Sequence, residues 1–223
     1  MTVHLDVLAS HVALDRARVI DVGFGQGALM RELSSCGADV VGVEVNVASR
    51  EAAIAADPDH AAAYLAGVGE ALPFDDSTAD VVVFSYSLHH VPAATLDNAL
   101  GEAQRVLKTG GTLYSLELIP EGPEHDLAAL IDDETEVRGF AQDALDRVVG
   151  FEERHRSEYE SDNIYDDWDA WEAVMVGVDA ARAAIMVEQR DRAREMFEAT
   201  ALTTADGRRR FLKGNLLRVF TAC

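Results

Sequence analysis

The feature that most constrains the fold is a short β-branched run that ends in a glycine-rich turn. Residues 18–22 (Arg-Val-Ile-Asp-Val) are typical of a strand, and residues 23–27 (Gly-Phe-Gly-Gln-Gly) follow directly. A helical pattern begins at Ala28. Glycine allows a tight turn and a close approach of the backbone to a ligand, and free amides gather at the start of a helix. The order predicts a strand–turn–helix unit that cradles a nucleotide-like molecule, with a purely structural glycine turn as the alternative.

Strand-like and helix-like runs alternate along the rest of the chain, which favours crossover connections and a mainly parallel sheet. Residues 80–85 (Asp-Val-Val-Val-Phe-Ser) have the continuous apolar character of a buried central strand. Gly110 and Gly111 are expected to end the helix before the fifth strand. Further strands are predicted at residues 40–45, 64–68, 112–118, 151–159 and 209–222, and helices at residues 3–14, 28–35, 49–56, 95–107, 124–149 and 164–201. The sequence therefore predicts a doubly wound α/β fold in a single domain, residues 1–223.

The amino-acid composition limits the kinds of molecule that the protein is expected to bind. The formal net charge of −21 repels phosphate backbones, so no nucleic acid is expected as a partner. No run approaches the ~20 apolar residues of a membrane span, and the first residues lack the pattern of a signal peptide. We therefore expect a cytoplasmic protein with no membrane contact. Cys36 and Cys223 are too few for a disulfide scaffold or a thiolate metal site, so no metal is expected.

Two carboxylates border the predicted ligand turn. Asp21 lies just before the glycines, and Glu44 ends the second strand, where an acidic side chain can accept hydrogen bonds from both hydroxyls of a ribose. The glycine spacing is Gly-x-Gly-x-Gly, not the Gly-x-Gly-x-x-Gly that places a dinucleotide pyrophosphate. A carboxylate at Asp21 suits a ligand with a cationic amino-acid end better than one with two phosphates. An NAD(P)-dependent oxidoreductase remains the alternative from another class of enzyme.

Four further runs lie at characteristic intervals after this turn. They are residues 70–74 (Glu-Ala-Leu-Pro-Phe), 80–83 (Asp-Val-Val-Val), 88–91 (Leu-His-His-Val) and 105–111 (Arg-Val-Leu-Lys-Thr-Gly-Gly). With the glycine turn and Glu44, they make about half of the chain similar to the class I methyltransferases of the ubiquinone and menaquinone biosynthesis type, the methyltransferase type 11 group. The resemblance implies a Rossmann-like, seven-stranded sheet that binds S-adenosylmethionine. It also implies in-line transfer of a methyl group to a small-molecule acceptor.

The resemblance assigns roles to single residues at the carboxyl ends of the strands. The cofactor-binding set would be Asp21, Gly23 and Gly25 for the methionine part, Glu44 for the ribose, Val45 beside the adenine, and Gly69, Glu70 and Ser85 completing the pocket. One position departs from the family pattern, because Val68 stands where an aspartate usually accepts a hydrogen bond from the adenine amino group. Losing that bond would weaken cofactor binding by ~1 kcal/mol.

The acceptor side is less defined by the sequence. His89 and Tyr86 are the candidate catalytic residues, because a histidine can act as a general base near neutral pH and a tyrosine can line an acceptor pocket. Packing of the loop or the core is the alternative for both. Residues 120–205 are predicted to be a helical substrate cover. Within it, a stripe of Trp168, Trp171, Met175 and Val178 at helical spacing is interpreted as core or as the interface of a homodimer, with an acceptor-binding surface as the alternative. A non-catalytic cofactor-binding or interaction module remains the alternative to an enzyme.

Overall fold

The computed structural model describes residues 3–177 and 180–223. The chain forms two compact units: the first contains residues 1–117, 139–157 and 216–223, and the second contains residues 118–138 and 158–215. The single domain and the cover at residues 120–205 stay predictions. Val178, which continues the predicted tryptophan stripe, lies outside the described residues.

The strands confirm a mostly parallel α/β sheet. They are β1 (Arg18–Val22), β2 (Asp39–Glu44), β3 (Tyr64–Ala66), β4 (Ala79–Ser85), β5 (Leu107–Leu118), β6 (Phe151–Tyr165), β7 (Leu202–Thr203) and β8 (Arg209–Ala222). The order is β3-β2-β1-β4-β5-β8-β6, with β7 paired to β8 in antiparallel fashion. The first five strands pair in parallel. The prediction of seven strands was wrong by one, because two-residue β7 is too short to leave a pattern in the sequence.

Helices connect the parallel strands, as the alternating pattern predicts. They are α1 (Val3–His11), α2 (Ala28–Ser35), α3 (Val47–Ala56), α4 (Leu96–Val106), α5 (Pro123–Ala128), α6 (Thr135–Asp146), α7 (Trp168–Val176) and α8 (Ala180–Thr200), with short 3-10 turns at Pro58–Ala63, Leu88–His90 and Ala93–Thr95. Within the part of the chain that the structure describes, no helix has both the length and the apolar composition that crossing a membrane requires.

The glycines near residue 110 do not end a helix. Helix α4 stops at Val106, and Leu107 already has extended backbone angles. Leu107 pairs with Ala79, but the next pair of the ladder involves Thr112, so the strand is irregular between them. Gly110, with φ of +79°, lies inside this irregular part of β5. The predicted helix stop was therefore wrong, because the glycine serves a bulge in the strand.

The central strands of the first unit bring their carboxyl ends to one edge. Strand β1 lies between β2 and β4 and pairs in parallel with both, so that Asp21 is the partner of Gly42 on one side and Val83 on the other. Most of β4 is completely buried, as its continuous apolar run predicts. The segments that follow β1, β2 and β4 therefore meet at the same edge of the sheet, which is where open α/β sheets bind ligands.

The second unit has an aromatic core of its own. Trp168 and Trp171 of α7 are buried, with ring centroids 5.1 Å apart. Phe197 of α8 lies 5.6 Å from Trp168 and 5.5 Å from Phe211. Such tilted and edge-on pairs stabilise a core beyond the area that they bury. The core assignment of the tryptophan stripe is confirmed.

Candidate functional site

The turn after β1 is built from glycines in the left-handed conformation. Gly23, Gly25 and Gly27 have φ of +76°, +55° and +72°. The amide of Gly23 donates to the carbonyl of Val43 at 2.8 Å, and a Cβ atom at Gly23 would lie only 2.6 Å from Cβ of Ser87. A Cβ atom at Gly25 would meet no atom within 4 Å. The turn is thus packed tightly at its first glycine and open at its second.

Alanine at these two glycines should therefore have different costs. We expect Gly25→Ala to lower the free energy of unfolding by about 1 kcal/mol, the cost of a left-handed backbone. Gly23→Ala should cost about 3 kcal/mol, because it adds the overlap with Ser87 to a similar strain. Urea unfolding monitored by circular dichroism measures both losses. Equal losses for the two variants would contradict the asymmetric packing of the turn.

Glu44 connects the glycine turn to the start of α3. Its carboxylate is buried, and Oε2 accepts from the amide of Gly25 at 2.8 Å while Oε1 accepts from the amide of Asn46 at 2.7 Å. Asn46 in turn caps α3, since its Oδ1 accepts from the amide of Ser49 at 3.0 Å. Each carboxylate oxygen can accept more than one hydrogen bond, so Glu44 is held rigidly and can still receive hydroxyl groups of a ligand.

Asp21 is the second carboxylate of the site. It is 2% exposed, and burial raises its pKa to about 7, with the charge of Glu44 acting in the same direction. Two carboxylates that repel each other in a buried place favour a cationic ligand, which would relieve that repulsion. A diphosphate would increase it. The donors and charges of this site therefore fit a nucleoside with a positive charge, as the sequence predicts for S-adenosylmethionine.

The segment after β4 forms another side of the site. Ser87 Oγ donates to the carbonyl of Val22 at 2.5 Å, which ties this segment to the end of β1. Tyr86 has φ of +54°, and its amide donates to the carbonyl of Leu116 at 2.7 Å. Ser85 and Tyr86 are both half-buried. A bulky residue in the left-handed conformation is uncommon and strained, and such strain is concentrated at functional sites.

His89 lies in a buried pair that the sequence analysis missed. Its Nδ1 is 2.5 Å from Oε2 of Glu117, and its amide donates to Oε1 of the same carboxylate at 3.3 Å. The two side chains are 2% and 1% exposed. The ring of His90 packs against that of His89, with centroids 4.0 Å apart. Glu117 is the one charged residue in the apolar run 113–118 (Leu-Tyr-Ser-Leu-Glu-Leu), and that signal could have identified it.

The residues predicted beside the adenine and at the rest of the pocket differ in their exposure and contacts. Val45 follows β2 and is 71% exposed, and Val68 is 40% exposed. Gly69 is buried, and a Cβ atom there would lie 3.3 Å from Val22. The carboxylate of Glu70 accepts from the hydroxyl of Thr95 at 3.0 Å. Hydrogen bonds thus link Glu44 to Gly25, whereas Glu70 is held by a residue outside the predicted set.

Comparison with known proteins finds similarity to methyltransferases in part of the chain. Residues 20–115 match the family model described as a methyltransferase domain. Sterol 4-C-methyltransferase strm-1 of Caenorhabditis elegans is 33% identical over 111 residues, which cover 47% of this chain and 32% of that protein. Demethylmenaquinone methyltransferase of Roseiflexus castenholzii is 32% identical over 103 residues, 45% of this chain and 42% of that one. The chain thus spans less than half the length of these two relatives.

The fold is similar over a longer stretch. The crystal structure of BH2331 from Bacillus halodurans C-125 matches 97% of both chains with a TM-score of 0.62 at 20% identity. At that identity the similarity concerns the fold alone, whereas the family model matches the segment that contains Asp21, Glu44 and His89. The predicted resemblance to the class I methyltransferases is therefore confirmed over residues 20–115, the part of the chain that matches the family model.

Proposed function

We propose that this protein is an S-adenosylmethionine-dependent methyltransferase that acts on a small molecule. The observation that carries the proposal is the pair of carboxylates, Asp21 and Glu44, at an open glycine turn inside the segment that matches the methyltransferase domain. A sulfonium nucleoside offers a ribose diol to Glu44 and an ammonium group to Asp21. The names of the sequence relatives, which refer to a sterol and to demethylmenaquinone, support a small organic acceptor.

In this proposal the chain contributes mainly binding and orientation. The bound cofactor supplies a methyl group on a positively charged sulfur. Gly25 leaves room above the turn, Glu44 accepts from the ribose hydroxyls, and Asp21 balances the positive charge of the amino-acid end. In-line displacement needs a nucleophile held ~3 Å from the methyl group with water excluded, so a side-chain catalyst is optional.

The proposal has a direct test in cofactor binding. We expect the purified chain to bind S-adenosylmethionine with micromolar affinity and NADH at least about 100-fold more weakly, because the two carboxylates of the site repel a diphosphate. Isothermal titration calorimetry measures both. Binding of NADH without binding of S-adenosylmethionine would replace the proposal by the oxidoreductase alternative.

A non-catalytic module is the second candidate, and Val68 is the observation that favours it. The side chain is half-exposed and offers no acceptor where the family has a carboxylate. The two candidates differ in turnover, because only an enzyme forms S-adenosylhomocysteine when acceptors are supplied. Firm cofactor binding without any product from a broad panel of small acceptors would favour the module.

His89 and Tyr86 are proposed as the catalytic residues. The carboxylate of Glu117 accepts a hydrogen bond from the Nδ1–H group of His89. This bond fixes the tautomer in which Nε2 has no proton, so that Nε2 has the lone pair that a general base needs. Such a base contributes about 100-fold or more to the rate. With the first acceptor that gives turnover, His89→Gln should lower kcat about 100-fold and Tyr86→Phe about tenfold, while the Kd of the cofactor changes less than threefold. Unchanged kcat in both variants would leave these residues a packing role.

A further inference from the structure

The second unit contains a cavity that the proposed function does not use. Its volume is about 230 Å³, and its lining has an apolar side with Trp171 and Met175 and a polar side with Arg138 and Lys213. Each molecule in liquid water takes up roughly 30 Å³, so the cavity has the volume of roughly eight water molecules. A molecule with a single ring fits this volume.

Arg138 lines the cavity and has a buried donor without an acceptor among the described residues. The residue is 7% exposed, and its Nη2 donates to Glu134. Its Nε is buried and has no hydrogen-bond partner in the part of the chain that the structure describes. Most buried polar groups are paired in native proteins, so an orphaned guanidinium N–H beside a cavity indicates that an acceptor atom belongs there.

Lys213 places a second positive charge on the same cavity. Burial lowers the pKa of its ammonium group, and the charge of Arg138 lowers it further, although Glu124 acts in the opposite direction. Lys213 thus lies close enough to Arg138 and Glu124 to interact with both charges, and a bound anion would add to the favourable effect of Glu124. Lys213 is one of only two lysines in a chain of net charge −21, so this positive charge contrasts with the rest of the protein.

Three of the four acidic side chains that line the cavity are already matched with donors in the described part of the chain, with Glu121 as the exception, which argues against a cationic ligand. Glu124 alone accepts three hydrogen bonds at 2.7–3.0 Å. A cationic ligand would have to displace such bonds, whereas an anionic ligand would meet the donors of Arg138 and Lys213. The matched groups are Glu124 with Asn163 and Tyr165, Asp132 with Arg182, and Glu134 with Arg138 and Arg182.

We propose that this cavity binds a small organic carboxylate. Its carboxylate group would lie between Arg138 and Lys213, and its ring or short apolar body would pack against Trp171 and Met175. The proposal concerns the second unit alone and does not depend on methyl transfer.

The experiment uses the full chain and two probes that differ only in charge. By fluorine NMR, 4-fluorobenzoate should bind at least tenfold more tightly than neutral 4-fluorobenzamide. Lys213→Met should weaken benzoate binding at least tenfold. The matched control is Lys108→Met, because Lys108 is half-exposed and pairs with Asp80 at 2.6 Å outside the second unit. Equal affinity of the acid and the amide, or no binding of either, would overturn the proposal.

A labelling measurement on the unmodified chain covers the case in which Lys213→Met does not fold. An amine-selective reagent is applied with and without 4-fluorobenzoate, and the two lysines are read separately by mass spectrometry. Lys213 should react at least threefold more slowly with the acid present, and Lys108 should react at the same rate. Equal rates at Lys213 would also overturn the proposal. Binding of S-adenosylmethionine is measured in the same samples, so failure of either proposal is seen independently of the other.

Discussion

Replacing Glu44 by glutamine is expected to weaken the binding of S-adenosylmethionine at least about 100-fold. The carboxylate is the acceptor proposed for both ribose hydroxyls, and a hydrogen bond to a charged group contributes about 1.5–3 kcal/mol. Glutamine keeps the size of the side chain but has a single acceptor oxygen. It must therefore also give up one of the two backbone amides, of Gly25 and Asn46, that Glu44 now accepts. Calorimetric titration of the variant with the cofactor measures the loss.

Asp39→Asn is the matched control for this measurement. Asp39 begins the same strand that Glu44 ends, and its carboxylate accepts from the guanidinium of Arg18 at 2.7 Å on an exposed surface. Exposed ion pairs contribute little to stability, so this variant should fold and bind the cofactor with an unchanged Kd. The ribose assignment would be wrong if Glu44→Gln unfolds at the same urea concentration as Asp39→Asn and its Kd for the cofactor stays within threefold of that of the original chain.

The sequence could predict that Asp21 and Glu44 lie close together because parallel strands impose this geometry. Asp21 and Glu44 end neighbouring strands, and the carboxyl ends of parallel strands meet at one edge whatever the details of packing are. A turn of three glycines needs no tertiary information to be recognised. For these residues, order along the chain is enough to predict which groups come together.

Other parts of the molecule depend on information that no local pattern contains. The contact between His89 and Glu117 joins residues that are 28 positions apart, and it depends on where the chain turns after β4 relative to the end of β5. Arg138 and Lys213 share a cavity only because distant segments of the second unit pack together. Periodicity identifies the elements that contain these residues, but it does not determine which side chains face each other.

Asparagine at position 21 is expected to stabilise the fold above neutral pH. The pKa of Asp21 is raised to about 7 in the folded protein from 3.8, so between these values the folded chain keeps a proton that the unfolded chain has lost. The free energy of unfolding therefore falls as pH rises from about 4 to 7, and this contribution is constant above pH 7. Asparagine has no charge to bury. Asp21→Asn should therefore raise the free energy of unfolding by at least about 2 kcal/mol at pH 8, which corresponds to a rise in Tm of roughly 4–8 °C.

The dependence on pH separates this cause from a general change in packing. The difference in the free energy of unfolding between Asp21→Asn and the original chain should decrease by about 2 kcal/mol when the pH falls from 8 to 5.5. At pH 5.5 the folded original chain keeps the proton on Asp21. Thermal unfolding at the two pH values measures this difference. A difference of the same size at both would show that the ionisation of Asp21 is not its source.

The same ionisation should control the affinity for the cofactor in the opposite sense. A positive ligand favours the charged form of Asp21, so the affinity should rise with pH and level off near pH 7. Below that value each pH unit would cost up to about tenfold in Kd, or about 16-fold between pH 7 and 5.5, because Asp21 is half ionised at pH 7. Titrations between pH 5.5 and 7.5 stay below the usual pKa of an α-amino group, ~7.7–8.0, so the ligand keeps its charge.

Asp21→Asn should bind the cofactor more weakly than the original chain at pH 7.5 and with a Kd that hardly changes with pH. Asp39→Asn should retain the profile of the original chain, because its carboxylate lies at the opposite end of β2. A Kd of the original chain that stays constant over this range would show that Asp21 does not face the positive charge of the ligand. A sloping profile that disappears only in Asp21→Asn would mean that the carboxylate whose burial costs stability is the one that recognises the cation.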